Sequence, residues 1–163
     1  MNLRKKMTLF LSTAILLVMM GGCSQGAAPV TESLQSIDNA ALESMIENQK
    51  DKPTLLVFWA TWCGPCVTEI PVLNQLREEY KPEELSIIAV SVDKTPDVVT
   101  KFMEKNPMKY TVLHDKVDVA VTHGVTAIPH MEFYDRSGKK VFAQTGAFPY
   151  EMLSQMVRKL VEN

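Results

Sequence analysis

The sequence has few of the features that mark several common classes of protein. It contains three cysteines in 163 residues, and Cys63 and Cys66 form its only closely spaced pair. A structural zinc site needs four ligands, so zinc here would have to recruit histidines, and we expect no metal site. Basic residues are scattered and are outnumbered 19 to 17 by acidic ones, which argues against nucleic-acid binding. The length suits one globular domain rather than two.

Long apolar runs are also scarce, and the longest lies near the N-terminus. Residues 9–20 are mostly apolar, follow the basic residues 4–6 and precede two glycines at 21–22. The run is too short for a comfortable transmembrane helix, and this order is typical of a secretory signal. We therefore predict that residues 1–22 are a signal peptide of an exported protein.

The third cysteine, Cys23, comes directly after this segment. The sequence from Met20 to Cys23 resembles the lipobox of bacterial lipoproteins, although that motif usually has Leu where Met20 stands. The resemblance implies that Cys23 carries lipid and anchors the protein to a membrane bilayer. Small and polar residues at 23–32 then form a flexible tether. The alternative is an ordinary signal cleaved nearby, which leaves Cys23 free in a soluble secreted protein.

The stretch from Trp62 to Cys66 is the centre of the sequence. It lies where the apolar run 54–60 gives way to a helical pattern, as expected for a dithiol at a strand-to-helix junction. A disulfide that closes so short a loop stabilises a fold little, because the entropic gain rises with loop length. The pair is therefore better suited to thiol-disulfide exchange than to structural cross-linking.

Hydrophobic patterns along residues 33–163 alternate between strand and helix and end in a hairpin and a helix. This order predicts an α/β domain with a mixed sheet. We expect Gly124 to end one helix and Pro71 to kink another. The predicted strands are 33–37, 54–60, 85–92, 111–113, 130–134 and 140–145, and the predicted helices are 39–49, 63–80, 96–105, 117–123 and 149–161.

Several of these residues together resemble a known family. The run 58–66, the helix proline Pro71 and the Ile128-Pro129 pair before a strand are similar to the thioredoxin superfamily. Within it, the signal with its lipobox and the Glu69-Ile70-Pro71 continuation resemble the TlpA/ResA-like extracytoplasmic thiol-disulfide oxidoreductases. The resemblance covers about residues 33–163. It implies a thioredoxin-like fold with a central mixed β-sheet flanked by helices.

The start of the helix is the expected reaction centre. Unpaired N–H groups and the helix dipole favour a thiolate on Cys63, which we expect to be the attacking nucleophile. Cys66, one turn into the helix, is expected to be more shielded and to resolve the mixed disulfide, so that the redox-active disulfide needs no cofactor. Gly64 and Pro65 shape the turn without obstructing a partner. Trp62 is expected to offer an apolar surface, and the alternative is a core aromatic.

The resemblance also implies a second wall of the site. It implies that the Ile128–Pro129 peptide is cis and lies against the dithiol. The backbone of Ile128 is then expected to pair with an extended substrate. His130 departs from the Thr that is common in the family. It could line the substrate groove, or it could be a half-exposed strand histidine.

Glu69 is the remaining candidate. It follows Cys66 by one helical turn, and in the ResA-like family a Glu at this position is implicated in setting thiol acidity. Thioredoxins use a buried Asp in the preceding strand, and Val57 takes that place here. We therefore expect Glu69 to accept the proton of Cys66. The alternative is a solvated surface residue.

The resemblance implies an exported, lipid-anchored enzyme that reduces protein disulfides. Its electrons would come from a membrane-embedded thiol donor of the CcdA/DsbD type, and its substrates would be apocytochrome c during cytochrome c maturation or an oxidised repair enzyme. The residues Gly64-Pro65 and Ile128 match the reducing thioredoxins. Two alternatives stay open: a disulfide-forming oxidase of the same fold, and a copper(I)-handling lipoprotein. Copper-delivering relatives usually have three residues between their cysteines, and this chain has two.

Overall fold

The structure is a computed structural model, and it describes residues 34–49 and 51–162. The predicted signal peptide at 1–22, the lipid attachment at Cys23 and the tether at 23–32 fall outside the described residues. Within the described part of the chain, no helix combines the length and the apolar character that a membrane span needs.

A six-stranded mixed sheet forms the centre of the described domain. Its strands are β1 (Ser36–Ile37), β2 (Thr54–Trp59), β3 (Ser86–Ser91), β4 (Thr111–Asp115), β5 (His130–Tyr134) and β6 (Lys140–Thr145). Their spatial order is β1-β4-β3-β2-β5-β6. The first four strands run parallel, whereas β5 pairs antiparallel with β2 and β6. The predicted mixed sheet is confirmed.

Helices cover both faces of this sheet. They are α1 (Asn39–Glu47), α2 (Gly64–Glu79), α3 (Pro96–Met103), α4 (Val119–Thr122) and α5 (Tyr150–Glu162). Buried residues of α2, α3 and α5 join one hydrophobic core, and those of α1 and α4 join a second core on the opposite face. The arrangement of helices on both sides explains why the central strands are almost wholly apolar.

The strand β2 is buried throughout because it lies between β3 and β5 with helices above and below. Its side chains alternate between the two cores, as the pleat requires. Leu55, Val57 and Trp59 face the α2 side, while Leu56 and Phe58 face the α1 side. The strand therefore gives the chain that follows it a rigid starting point.

The ends of several elements differ from the prediction. Only Ser36–Ile37 of the predicted strand 33–37 pairs in the sheet, because β1 meets β4 over two residues, His114 and Asp115. The strand β4 extends to Asp115 instead of ending at 113. The helices predicted at 39–49 and 117–123 are shorter in the structure, where they form α1 and α4. Helix α2 continues through Pro71, and the kink there stays a prediction.

Gly124 ends helix α4, as predicted. Its φ of +72° lies in the left-handed region, which favours glycine. The N–H of Val125 donates to the carbonyl of Ala120, and the N–H of Gly124 donates to that of Val121, each over 2.9 Å. These two bonds form a Schellman motif, which satisfies the last carbonyls of the helix and turns the chain toward residues 125–129.

Candidate active site

The two cysteines lie where β2 ends and α2 begins. After Trp59 the chain turns at once, and the N–H of Cys63 donates to the carbonyl of Ala60 over 3.2 Å. Cys63 is the N-cap residue of α2, and its Sγ accepts a hydrogen bond from the N–H of Cys66 over 3.2 Å. The cysteines are joined by a disulfide, with their Cα atoms 5.2 Å apart. The predicted strand-to-helix dithiol is confirmed in its position.

The surroundings of Cys63 favour its ionised form. The first N–H groups of a helix lack intrahelical partners, and the helix dipole adds positive charge at the same end, so a sulfur there is stabilised as a thiolate. Cys63 is 6% exposed and Cys66 is 3% exposed. When the disulfide is reduced, the arrangement therefore provides an ionisable sulfur backed by a more shielded partner.

The segment around Pro129 forms a wall beside the dithiol. The Ile128–Pro129 peptide is cis, as the resemblance implied. The carbonyl oxygen of Ile128 lies 3.7 Å from Sγ of Cys63. The carbonyl of Pro129 accepts a hydrogen bond from the N–H of Gly146 over 2.8 Å, which ties this segment to the end of β6. The structure thus brings Cys63, Ile128 and Pro129 together.

Exposed residues surround the other side of the dithiol. Trp62 is 69% exposed, so it is not a core aromatic, and its indole offers apolar surface next to Cys63. Gly64 and Pro65 are exposed in the first turn of α2. A Cβ atom built on Gly64 would meet no described atom within 4 Å, so the approach to Cys63 is open on this side.

Glu69 is buried rather than solvated. It is 2% exposed, and its Oε1 accepts a hydrogen bond from the N–H of Phe148 over 2.8 Å. Burial raises the pKa of Glu69 from 4.5 to about 7, and the bond from Phe148 offsets part of that rise. The alternative of a surface glutamate is wrong, because the chain before α5 covers this face of α2.

Polar atoms without partners lie on the same side of the sheet as Glu69. Oε2 of Glu69, Nε1 of Trp59 and the hydroxyl of Tyr110 are buried and have no hydrogen-bond partner among the described residues. Burial and the nearby charge of Glu69 raise the pKa of Tyr110 above its ordinary range. Val57, which takes the place of the thioredoxin Asp, is buried in the same core as both cysteines. Sequence reasoning missed Tyr110, because nothing in its neighbours marks it.

A second charged cluster lies on the opposite face of the sheet and was not predicted. Glu132, on β5, is fully buried, and its carboxylate accepts hydrogen bonds from His123, Tyr134 and Lys140. Burial alone would raise the pKa of Glu132, but these three bonds outweigh burial and lower it to about 2. The cluster joins β5, β6 and α4 rather than the dithiol.

His130 belongs partly to this cluster. Its Nδ1 lies 2.9 Å from Oγ1 of Thr145, and its Nε2 lies 3.7 Å from Oε1 of Glu132. His130 is the first residue of β5, and its side chain is 12% exposed, so it is a partly buried strand histidine. Its place next to Pro129 keeps it beside the predicted substrate groove, and a role there stays a prediction.

Sequence analysis also did not predict a buried aspartate that lies just beyond β3. The carboxylate of Asp93 accepts hydrogen bonds from the N–H and the hydroxyl of Thr61, over 2.9 and 2.7 Å. It also accepts one from the hydroxyl of Ser91 over 2.7 Å. The available signal was a Ser-x-Asp phrase at the carboxyl end of a predicted parallel strand, where functional side chains often lie.

No group of three or more His, Cys, Asp or Glu side chains that could hold a metal ion occurs in residues 34–49 and 51–162. The described groups in the first two turns of α2 are the disulfide, the backbone around Cys63 and the buried carboxyl group of Glu69. A pair of closely spaced cysteines can exchange with a disulfide, and a carboxyl group with a pKa of about 7 can take up and release a proton near neutral pH.

Several known proteins are similar to this chain in sequence or in structure. Residues 28–142 match the model of the AhpC/TSA family. The chain is 33% identical over 116 residues to the thiol-disulfide oxidoreductase ResA of Bacillus thuringiensis subsp. konkukian, a match that covers 71% of this chain and 67% of that protein. It is 30% identical over 120 residues to the thioredoxin-like protein YneN of Bacillus subtilis, covering 72% and 69%. A solved structure of a protein from Chlorobium tepidum, described as a thiol:disulfide interchange protein DsbE, has a TM-score of 0.66 and 31% identity, covering 70% and 83%.

Proposed function

Since this chain belongs to the AhpC/TSA family and is a thiol-disulfide oxidoreductase of thioredoxin-like fold, we propose that Cys63 and Cys66 reduce protein disulfides outside the cytoplasm. The observation that carries this proposal is the position of Cys63. Its sulfur lies at the N-terminus of α2, next to the exposed Trp62 and 3.7 Å from the carbonyl oxygen of Ile128. A thiolate held there can meet a substrate disulfide that approaches over exposed residues.

The first step is attack by Cys63. Its thiolate bonds to one sulfur of the substrate disulfide, and the other substrate sulfur leaves as a thiolate that takes a proton from water. The substrate strand lies along Ile128, whose backbone faces the same sulfur. Trp62, Gly64 and Pro65 contact the partner, because all three are exposed around Cys63.

The second step is resolution by Cys66. Its thiol loses a proton to Glu69, and the resulting thiolate attacks the Cys63 sulfur and releases the second substrate thiolate. Two electrons pass from the dithiol to the substrate, and the Cys63–Cys66 disulfide remains. A pKa of about 7 suits Glu69 to this task, because the carboxyl group can both accept and release a proton near neutral pH.

The reaction cycle needs an electron donor and a location in the cell. We infer that a membrane-embedded dithiol protein of the CcdA/DsbD type reduces the Cys63–Cys66 disulfide, and that lipid on Cys23 keeps the domain at the membrane surface. The substrates are apocytochrome c or an oxidised repair enzyme. The pair Gly64-Pro65 supports the reducing direction, as it matches the reducing thioredoxins. The reduced Cys63–Cys66 dithiol carries the electrons without a cofactor.

The test is disulfide trapping in the native membrane with Cys66→Ala. This variant leaves Cys63 able to attack but removes the thiol that resolves the mixed disulfide, so we expect substrate proteins to be captured in reducible adducts. The matched control is the double variant Cys63→Ala/Cys66→Ala, which can form none. Capture of no protein by Cys66→Ala in repeated trials would contradict the proposal.

Cys23→Ala tests the anchor, since the processed protein is then expected in the soluble extracytoplasmic fraction.

A further inference from the structure

The buried carboxylate of Asp93 takes no part in the two exchange steps, yet it contacts the turn that leads into the dithiol. Asp93 is 6% exposed and stands just beyond β3. Two of its three side-chain hydrogen bonds go to one residue, Thr61, whose backbone N–H and hydroxyl both point to it. A buried carboxylate bound this way is fixed in orientation, because each oxygen has a donor in place.

Thr61 lies inside the turn that presents the reactive sulfur. The turn is closed by the bond from the N–H of Cys63 to the carbonyl of Ala60, and Thr61 and Trp62 are its two central residues. The bonds from Thr61 to Asp93 therefore hold the middle of the turn. Movement of this turn would move Cys63 and the exposed Trp62 together.

Asp93 is itself anchored across the sheet. Its N–H donates to the hydroxyl of Ser91 over 3.0 Å, and its carbonyl accepts a hydrogen bond from Nε2 of His114 over 2.8 Å. Nδ1 of His114 lies 3.2 Å from the hydroxyl of Ser36 on β1. A continuous polar chain thus runs along the carboxyl ends of β1, β4 and β3 and reaches the turn after β2 through Thr61.

We propose that Asp93 is a positioning residue for the dithiol: through Thr61 it holds the turn so that Sγ of Cys63 stays aligned with the N–H of Cys66 and the carbonyl of Ile128. The inference rests on the proposed function, since it concerns the sulfur assigned there as nucleophile. Thiol-disulfide exchange needs that sulfur in line with the substrate disulfide, so displacement slows attack even when the fold is intact.

Three variants separate geometry from charge and from general stability. Asp93→Ala removes all three bonds. Asp93→Asn removes the charge but can keep the contacts, because its oxygen accepts from the N–H of Thr61 and its amide donates to the Thr61 hydroxyl, which can also act as an acceptor. Thr61→Val removes one bond and keeps the shape of the side chain. The matched control is Asp135→Ala, which removes a carboxylate that accepts two backbone N–H groups and a hydroxyl in the β5–β6 turn.

The measurements are the alkylation rate of reduced Cys63 as a function of pH, the rate of exchange with a small disulfide, and the melting temperature. For Asp93→Ala we expect alkylation and exchange at pH 7 to fall roughly tenfold and the alkylation profile to shift to higher pH, because Sγ loses its alignment with the Cys66 N–H. Thr61→Val should show a smaller loss. Asp93→Asn should stay within about threefold of the parent protein, since its contacts persist.

The control sets the standard for a purely structural role. Asp135→Ala should lower the melting temperature without changing Cys63 alkylation. The proposal is overturned if Asp93→Ala, or Thr61→Val where the alanine variant does not fold, shows parental alkylation and exchange. It is equally overturned if Asp93→Asn is impaired as much as Asp93→Ala, because charge would then be the cause. Cys63→Ala separates a failure of this inference from a failure of the proposed function. If Cys63→Ala keeps exchange activity, the proposed function itself fails.

Discussion

At the scale of single residues, Glu69 shows how a fold changes the chemistry of a side chain. Its position one turn after Cys66 is evident from the sequence, and the expected role followed from that spacing together with the resemblance to the ResA-like family. Its burial is not evident, because the cover comes from Phe148, 79 residues away. A helical pattern tells which residues share a face, but not which remote segment covers that face. The pKa of about 7 arises from this cover.

Glu69→Gln is expected to slow the resolution step and to remove its dependence on pH near 7. In the parent protein, the rate should rise with pH through about 7, as the carboxyl group becomes able to accept the proton of Cys66. The amide cannot accept it, so we expect a loss of roughly 100-fold at pH 8. Rapid mixing of the reduced protein with a small disulfide, from pH 5 to 9, measures the step.

The control for this substitution is Glu78→Gln on the same helix. Glu78 is exposed and forms an ion pair with Lys109, so its neutralisation tests a general loss of charge from α2. We expect exchange rates within about twofold of the parent, because exposed ion pairs contribute little. An equal effect of the two substitutions would remove the proton-accepting role of Glu69.

At the scale of secondary-structure elements, two glycines near the site lie at helix ends that require different backbone conformations. Gly64 begins α2, where its backbone is helical and its surroundings are open. Gly124 ends α4 with a φ of +72°, and the chain beyond it leads to Ile128 and Pro129. Sequence reasoning identified both positions, since a helix stop and a compact turn each have a recognisable residue pattern.

Gly124→Ala is expected to destabilise the protein by about 1 kcal/mol, because a side chain disfavours the left-handed conformation even in open space. Gly64→Ala is the matched control. Its Cβ also enters open space but its backbone is helical, so the free energy of unfolding should stay the same or rise by a few tenths of a kcal/mol. Denaturant unfolding of both variants measures the difference. Equal effects would show that the backbone angle of Gly124 is unimportant.

At the scale of the whole molecule, two buried glutamates lie on opposite faces of the sheet and have opposite pKa shifts. Glu69 lies with the dithiol and has a raised pKa, whereas Glu132 lies on the opposite face and has a lowered pKa. The mixed sheet and its flanking helices could be predicted, because they follow from apolar patterns and from the resemblance. The partners of Glu132 and Asp93 could not, because His123 and Thr61 reach them only after distant elements are packed together.

The two glutamates predict how the stability of the oxidised protein varies with pH. Glu132 has a folded pKa of about 2, below the ordinary 4.5, so its contribution is complete above pH 4.5 and is lost as pH falls toward 2. Glu69 has a folded pKa of about 7, so folding becomes less favourable as pH rises from 4.5 to 7. These groups should place the stability maximum near pH 4.5, with falls on the order of 3 kcal/mol on each side.

Denaturant unfolding between pH 2 and 8 checks this expectation. Glu132→Gln should flatten the acid side and lower stability at neutral pH, because Lys140 and His123 lose their buried partner. Glu69→Gln should flatten the side between pH 4.5 and 7. A parent protein whose stability keeps rising from pH 5 to 8, with no change in slope in Glu69→Gln, would contradict the assignment of Glu69.

The disulfide joins cysteines only three residues apart, and this has a thermodynamic consequence. Closing so small a loop restricts the unfolded chain by about 2 kcal/mol, less than a long-range disulfide does. The difference in unfolding free energy between the oxidised and reduced proteins, corrected for this small term, therefore measures how strongly the folded protein prefers one redox state. If the oxidised form is the more stable, the folded protein gives up electrons readily. Two unfolding curves can thus report whether folding makes the cysteine pair more reducing or more oxidising, before any partner is identified.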